Sequence, residues 1–128
     1  MTELIYFDDE AQSFLKSGVE KLCNAVSITM GPRGKLVLIE RNGKPPHLTK
    51  DGATVAKNVV LVDPIESLGS QLLKQASENT ASVAGDGSTT STVLAKEIYF
   101  RSSQALQTGI ASPSEICKIL NDKSEEVI

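Results

Sequence analysis

Helix-start signals divide most of this 128-residue chain into long helical segments. The segment Asp63-Pro64-Ile65-Glu66 offers an acidic N-cap, a proline at the first helical position and a glutamate at the third. The segment Ser112-Pro113-Ser114-Glu115 repeats this arrangement with a hydroxyl cap. Between them, a further long helix begins near Ser88, and Gly109 closes it. These signals predict a chain built mainly from α-helices.

The first part of the chain carries an apolar helix face. This helix can begin at Asp8 or Asp9 and must stop at Gly31-Pro32, because proline cannot continue a helix. The apolar positions recur at helical spacing and are Leu15, Val19, Leu22, Val26 and Met30.

A short β-hairpin is predicted after this helix. The apolar run Leu36-Val37-Leu38-Ile39 and the segment His47-Leu48-Thr49 flank Arg41-Asn42-Gly43-Lys44, and Asn-Gly is a strong hairpin signal. Asp51-Gly52 then turns the chain into a short helix that ends near Asn58. Neither a linker nor a repeat interrupts the pattern, so we predict one mainly α domain, a bundle of long helices with a projecting hairpin.

Charge and hydropathy exclude several classes of function. The net charge of -3 and the absence of a basic block disfavour a nucleic-acid partner. No apolar stretch approaches the roughly 20 residues of a membrane span, and the N-terminus lacks a signal-peptide pattern. Cys23 and Cys117 lie far apart in helical patterns, and we predict two buried free thiols. These features favour a cytoplasmic location.

The segment Gly85-Asp86-Gly87-Ser88-Thr89-Thr90 is the strongest chemical signal in the chain. Its hydroxyl run falls on the first turn of a helix, where free N–H groups attract anions. Asp86 adds a carboxylate, which suits a phosphate that carries Mg²⁺. The alternative is an ordinary corner between two helices with a Ser/Thr cap.

Two further loops offer complementary groups. Thr29-Met30-Gly31-Pro32-Arg33-Gly34 follows a helix C-terminus, whose carbonyls suit a cation or a polar base edge; the alternative is a plain helix stop. In Leu48-Thr49-Lys50-Asp51-Gly52, Asp51 either caps the next helix or orients a water molecule against a phosphate. Lys50 is either solvated or close to the phosphates.

Together, these three motifs resemble those of the group I chaperonins, the GroEL type. The resemblance covers essentially the whole chain and includes the spacing between motifs. It departs at three positions, where the family usually has Leu for Met30, Lys for Arg33 and Thr for Ser88. Each replacement keeps the character of the side chain: apolar, cationic or hydroxyl.

The resemblance implies an ATP site with Mg²⁺ and K⁺ as cofactors. Asp86 would hold Mg²⁺, the carbonyls of Thr29 and Lys50 would help to hold K⁺, and Asp51 would act in catalysis by positioning the attacking water. The residues implied to bind the nucleotide are Thr29, Met30, Gly31, Pro32, Lys50, Asp86, Gly87, Ser88, Thr89 and Thr90.

The resemblance also implies an ATP-dependent folding chaperone that works as a homo-oligomeric ring. The hairpin from Leu36 to Thr49 would pair with the terminal strands of a neighbouring subunit, and Leu4, Tyr6 and Phe7 are candidates for such a strand. By this resemblance, residues 1–128 would correspond to the first half of the ATP-binding equatorial domain. We expect them to include neither the intermediate domain nor the apical domain, which would bind clients and a co-chaperonin. We therefore expect weak ATP binding and inefficient hydrolysis from this chain alone. The alternative function is a short non-catalytic module that docks onto chaperonin rings or modulates them.

Overall fold

The computed structural model describes residues 8–128 and, within that range, contains five helices and one antiparallel hairpin. None of these helices is long and apolar enough to cross a membrane. Leu4, Tyr6 and Phe7 lie outside the described residues. The elements are α1 (Asp8–Ser27), β1 (Val37–Arg41), β2 (Lys44–Thr49), α2 (Gly52–Asn58), α3 (Pro64–Ala84), α4 (Ser88–Gln107) and α5 (Pro113–Val127).

The chain forms two compact units, and the border between them falls inside α4, after Lys96. In the first unit α1, α2 and α3 pack on one another, and β1 contacts α2. The core of this unit consists of buried apolar side chains: Val19, Leu22, Cys23, Val26, Ala53, Val55, Ala56 and Leu73.

Helices α1 and α3 approach each other so closely that their backbones meet. A methyl group on Gly18 would overlap the carbonyl group of Glu66, and one on Gly69 would overlap the carbonyl group of Leu15. The Glu66 carboxylate reinforces this contact by accepting hydrogen bonds from Lys21 Nζ (2.6 Å) and Ser17 Oγ (3.1 Å).

The apolar face of α1 is buried at its centre but not at its C-terminal end. Val19, Leu22 and Val26 are at most 1% exposed, whereas Met30 is 46% exposed. Helix α1 ends at Ser27, earlier than the Gly31-Pro32 stop, so Met30 lies in the following turn and leaves the core-facing stripe.

The predicted helix caps are present. Asp63 Oδ1 accepts from the N–H groups of Ile65 and Glu66, both at 2.9 Å. Ser112 Oγ accepts from the N–H of Glu115 at 3.3 Å. These caps form as predicted because they involve only neighbours in sequence.

The hairpin closes through the predicted Asn-Gly turn. Strand β2 begins at Lys44 and includes Pro45 and Pro46, and the turn contains only Asn42 and Gly43. Both prolines lie opposite Glu40, where the register shifts between the Ile39–His47 and Arg41–Lys44 pairs. Proline cannot donate a ladder hydrogen bond, and an irregularity in an edge strand is a place where a sheet tolerates it.

The two cysteines differ in burial. Cys23 lies in the core of the first unit, as predicted. The prediction for Cys117 is wrong: this thiol is exposed, because α5 has no buried residues in this chain.

We predict that Gly69→Ala lowers the free energy of unfolding by about 1–3 kcal/mol, the usual cost of overpacking. Alanine is otherwise a better helix former than glycine by about 1 kcal/mol. The variant is therefore less stable only because the overlap with Leu15 costs more than this gain. Urea unfolding measures the effect. Gln71→Ala, at an exposed position of the same helix, is the control and should leave stability nearly unchanged. A Gly69→Ala variant as stable as the control would contradict the close approach of α1 and α3.

Candidate functional site

The three motif loops surround one cleft of about 240 Å³ in the first unit. The cleft brings together every predicted site residue except Pro32, which is exposed and does not line it. The lining residues are Thr29, Met30, Gly31, Lys50, Asp51, Gly52, Asp86, Gly87, Ser88, Thr89 and Thr90.

The first loop carries the C-terminal end of α1 into the cleft. The Thr29 N–H donates to Val26 O at 3.1 Å, and the Met30 N–H donates to Ser27 O at 3.0 Å, so the chain turns immediately after the helix. The Thr29 hydroxyl also donates to Val26 O, at 2.7 Å. This loop therefore presents main-chain carbonyls and the negative end of a helix dipole.

The second loop is organised around Asp51, the N-cap of α2. Its Oδ2 accepts from the N–H and the hydroxyl of Thr54, at 3.0 and 2.5 Å, and its Oδ1 accepts from the Ala53 N–H at 3.3 Å. The hydrogen bond from the Thr54 hydroxyl is the main reason that the pKa of Asp51 is lowered. Asp51 is therefore ionised at neutral pH, and Oδ1 can accept a further hydrogen bond.

Thr54 is not among the predicted site residues, although its N–H and hydroxyl both donate to the carboxylate of Asp51. Its position in the sequence could have indicated this contact. Thr54 lies three residues after an N-cap aspartate, and at this spacing a side chain can reach back to the cap.

The third loop joins α3 to α4. Gly85 closes α3 in the left-handed conformation, with φ of 73°, and Gly87 follows with φ of 81°. Asp86 Oδ1 accepts a hydrogen bond from the Gly87 N–H at 2.7 Å, which holds this carboxylate against the main chain of the loop. Because both glycines adopt a conformation that other residues rarely do, the loop can hold Asp86 next to the start of α4.

Helix α4 begins with donors that have no acceptor among residues 8–128. The N–H groups of Ser88, Thr89 and Thr90 lie before the first helical hydrogen bond, and Gly87 has no side chain to cap them. The Ser88 side chain is also without a hydrogen-bond partner in the described part of the chain, although the residue is only 7% exposed. An unpaired hydroxyl beside free amides favours an anion.

The cleft therefore has a positive and a negative side. The start of α4 attracts an anion, and the carbonyls after α1 attract a cation. No cluster of three or more metal-ligating Asp, Glu, His or Cys side chains exists among the described residues. This donor set fits Mg²⁺, which needs only one or two carboxylates when phosphate oxygens complete its ligands.

We predict that Asp51→Ala lowers the free energy of unfolding by about 1 kcal/mol at pH 7, the usual value of an N-cap. Because the folded pKa of Asp51 lies below its ordinary value of 3.8, its stabilisation is fully present above that value and is lost as pH falls through the folded pKa. The difference between wild type and variant should therefore shrink below pH 3.8.

Chemical denaturation at several pH values measures this difference, with the exposed Asp122→Ala as a control that should show no such loss. Thr54→Val should raise the pKa of Asp51 toward its ordinary value, which NMR titration detects. An Asp51→Ala effect that does not depend on pH would contradict the assigned cap.

Comparison with known proteins identifies the family of this chain. Residues 22–128 match the TCP-1/cpn60 chaperonin family. Two crystal structures of chaperonin gp146 from the bacteriophage EL 2 (Pseudomonas aeruginosa), both obtained in the presence of ATP-BeFx, are similar to this chain. One shares 34% identity over 72% of this chain with a TM-score of 0.67, and the other shares 33% identity over 73% with the same score.

This chain spans only 16% and 17% of the two matched phage chaperonin chains. The predicted fold, mainly α with a hairpin, is confirmed. It is the fold of part of a chaperonin equatorial domain. On the family match and these structural similarities, the chain belongs to the TCP-1/cpn60 chaperonin family.

Proposed function

We propose that this chain supplies the phosphate-binding side of the ATP site of a cytoplasmic, ATP-dependent chaperonin. One observation carries the proposal: the free N–H groups of α4 and the unpaired Ser88 hydroxyl face the same cleft as the Asp86 carboxylate. A phosphate needs such donors, and a phosphate-bound cation needs such a carboxylate.

The proposal assigns roles to the lining residues. The main-chain N–H groups of Ser88, Thr89 and Thr90 donate to phosphate oxygens, whereas the Gly87 N–H is already donated to Asp86 Oδ1. Asp86 holds Mg²⁺, which neutralises charge on the phosphates. The carbonyls of Thr29 and Lys50 contribute to a K⁺ site, in keeping with the negative end of the α1 dipole. Met30 and Gly31, which line the cleft, are proposed to contact the rest of the nucleotide together with Pro32, which does not line it.

Asp51 is proposed to orient the attacking water. Its lowered pKa keeps it ionised, and Oδ1 accepts only one hydrogen bond within the described residues, so it can accept a second from water. Its role is positioning, since phosphoryl transfer depends mainly on alignment and charge stabilisation.

The size of the cleft agrees with a partial site. Its volume of about 240 Å³ lies below the roughly 300–1,000 Å³ of pockets that enclose drug-sized ligands. We therefore expect this chain alone to bind ATP weakly and to hydrolyse it inefficiently. Client binding and any co-chaperonin contact would belong to the longer chains of the family.

The hairpin is proposed to join neighbouring subunits of a ring. Leu38 and Leu48 are register partners across the two strands, and they are 65% and 61% exposed. An exposed apolar pair on an open two-stranded sheet favours pairing with another strand.

For the nucleotide site, we predict that Asp86→Asn weakens binding of Mg·ATP but strengthens binding of ATP in EDTA. The carboxylate attracts the metal when it is present and repels bare phosphates when it is absent. Calorimetric titration under both conditions measures the two affinities. Asp122→Asn, which makes the same change on α5, should alter neither. A loss of equal size with and without Mg²⁺ would contradict the metal role of Asp86.

For the hairpin, we predict that Leu38→Asp with Leu48→Asp abolishes self-association, because charged groups cannot be buried in an apolar contact. Analytical ultracentrifugation at several concentrations, with and without ATP and K⁺, measures this association. The control pair, Leu38→Met with Leu48→Met, keeps the apolar surface and should retain it. Association that survives the aspartate pair would place the subunit contact elsewhere.

A further inference from the structure

The three loops meet at the side chain of Thr89. Its Oγ1 lies 3.2 Å from Thr29 Oγ1, which connects the third loop to the end of α1. The same oxygen lies against Gly52, where a methyl group would overlap it. One hydroxyl thus contacts both of the other motif loops.

The direction of the hydrogen bond between the two threonines follows from proton counting. A threonine hydroxyl has a single proton. That of Thr29 is donated to Val26 O at 2.7 Å, and a carbonyl oxygen can only accept. The bond at 3.2 Å must therefore run from the Thr89 hydroxyl to Thr29 Oγ1.

The neighbouring hydroxyls are in a different situation. Ser88 and Thr90 also line the cleft, but neither side-chain hydroxyl has a hydrogen-bond partner among residues 8–128. Their protons are free for a ligand, whereas that of Thr89 is already used. Three consecutive hydroxyls that look equivalent in sequence therefore divide into two without a partner and one internal donor.

We propose that Thr89 is a positioning residue whose hydroxyl holds the three loops together, in contrast to Ser88 and Thr90, whose hydroxyls stay available to the anion. The roles of Ser88 and Thr90 rest on the proposed function. The role of Thr89 does not, because it concerns contacts that form without a ligand.

Hydrogen exchange of the ligand-free chain tests the positioning role. Thr89→Val keeps the shape of the side chain and removes its donor. It should speed exchange of the Met30 and Lys35 amides, which are bonded to Ser27 O and Ile28 O, by about two- to tenfold, the effect of one hydrogen bond. Thr90→Val, the same change one residue later, should leave these rates unchanged. Thr89→Ser restores the hydroxyl and should restore the rates.

Each other result of this experiment overturns the assignment. Unchanged rates in Thr89→Val would mean that its hydroxyl does not hold the first loop. Equal acceleration by Thr90→Val would remove the distinction between the two threonines. Failure of Thr89→Ser to restore the rates would assign the effect to the methyl group.

Titration with Mg·ATP separates positioning from direct contact. Ser88→Ala and Thr90→Val should weaken binding while the exchange rates of the first loop stay at the wild-type value. Loss of binding in Thr89→Val without faster exchange would make Thr89 a direct phosphate donor and overturn the proposal. If the wild-type chain does not bind Mg·ATP, the proposed function fails, and the exchange rates still decide the role of Thr89.

Discussion

The backbone contact between α1 and α3 at Gly18 and Gly69 is the constraint on which the rest of the first unit depends. It leaves no room for a side chain at either position, so the two helices can pack only in one narrow geometry. The ion pair between Lys21 and Glu66 lies beside this contact. The C-terminal ends of both helices then lead into loops of the same cleft, one through Thr29 and the other through Asp86. A contact far from the site in sequence thereby sets the positions of its chemical groups.

Within the cleft, opposite helix ends face a common space. Carbonyls follow the end of α1, and free N–H groups begin α4, so the backbone alone provides partial charges of both signs. A ligand that combines an anion with a cation is the natural occupant, and Mg·ATP is such a ligand. Side chains add to the partial charges of the backbone. Asp86 adds a full charge, Asp51 is kept ionised by Thr54, and the Thr89 hydroxyl joins the loops that carry these groups.

Sequence reasoning predicted the features that depend on neighbouring residues. The caps at Asp63 and Ser112, the hairpin and the order of the helices all follow from local patterns. It failed where the outcome depends on distant contacts or on where an element ends. Met30 fits the apolar stripe of α1 but lies beyond the helix end, and Cys117 fits a helical pattern but is exposed. The role of Thr89 could not be predicted, because its partner Thr29 lies 60 residues away.

The central claim is that the three loops form one site for Mg²⁺-bound phosphates. Mapping of amide chemical shifts in the isotope-labelled chain during titration with Mg·ADP and beryllium fluoride tests it most directly. We predict that the largest shifts occur in Ser88, Thr89 and Thr90, together with smaller shifts in residues 29–31 and 50–52, which line the same cleft. Shifts confined to a single loop, or centred on α5, would contradict the account.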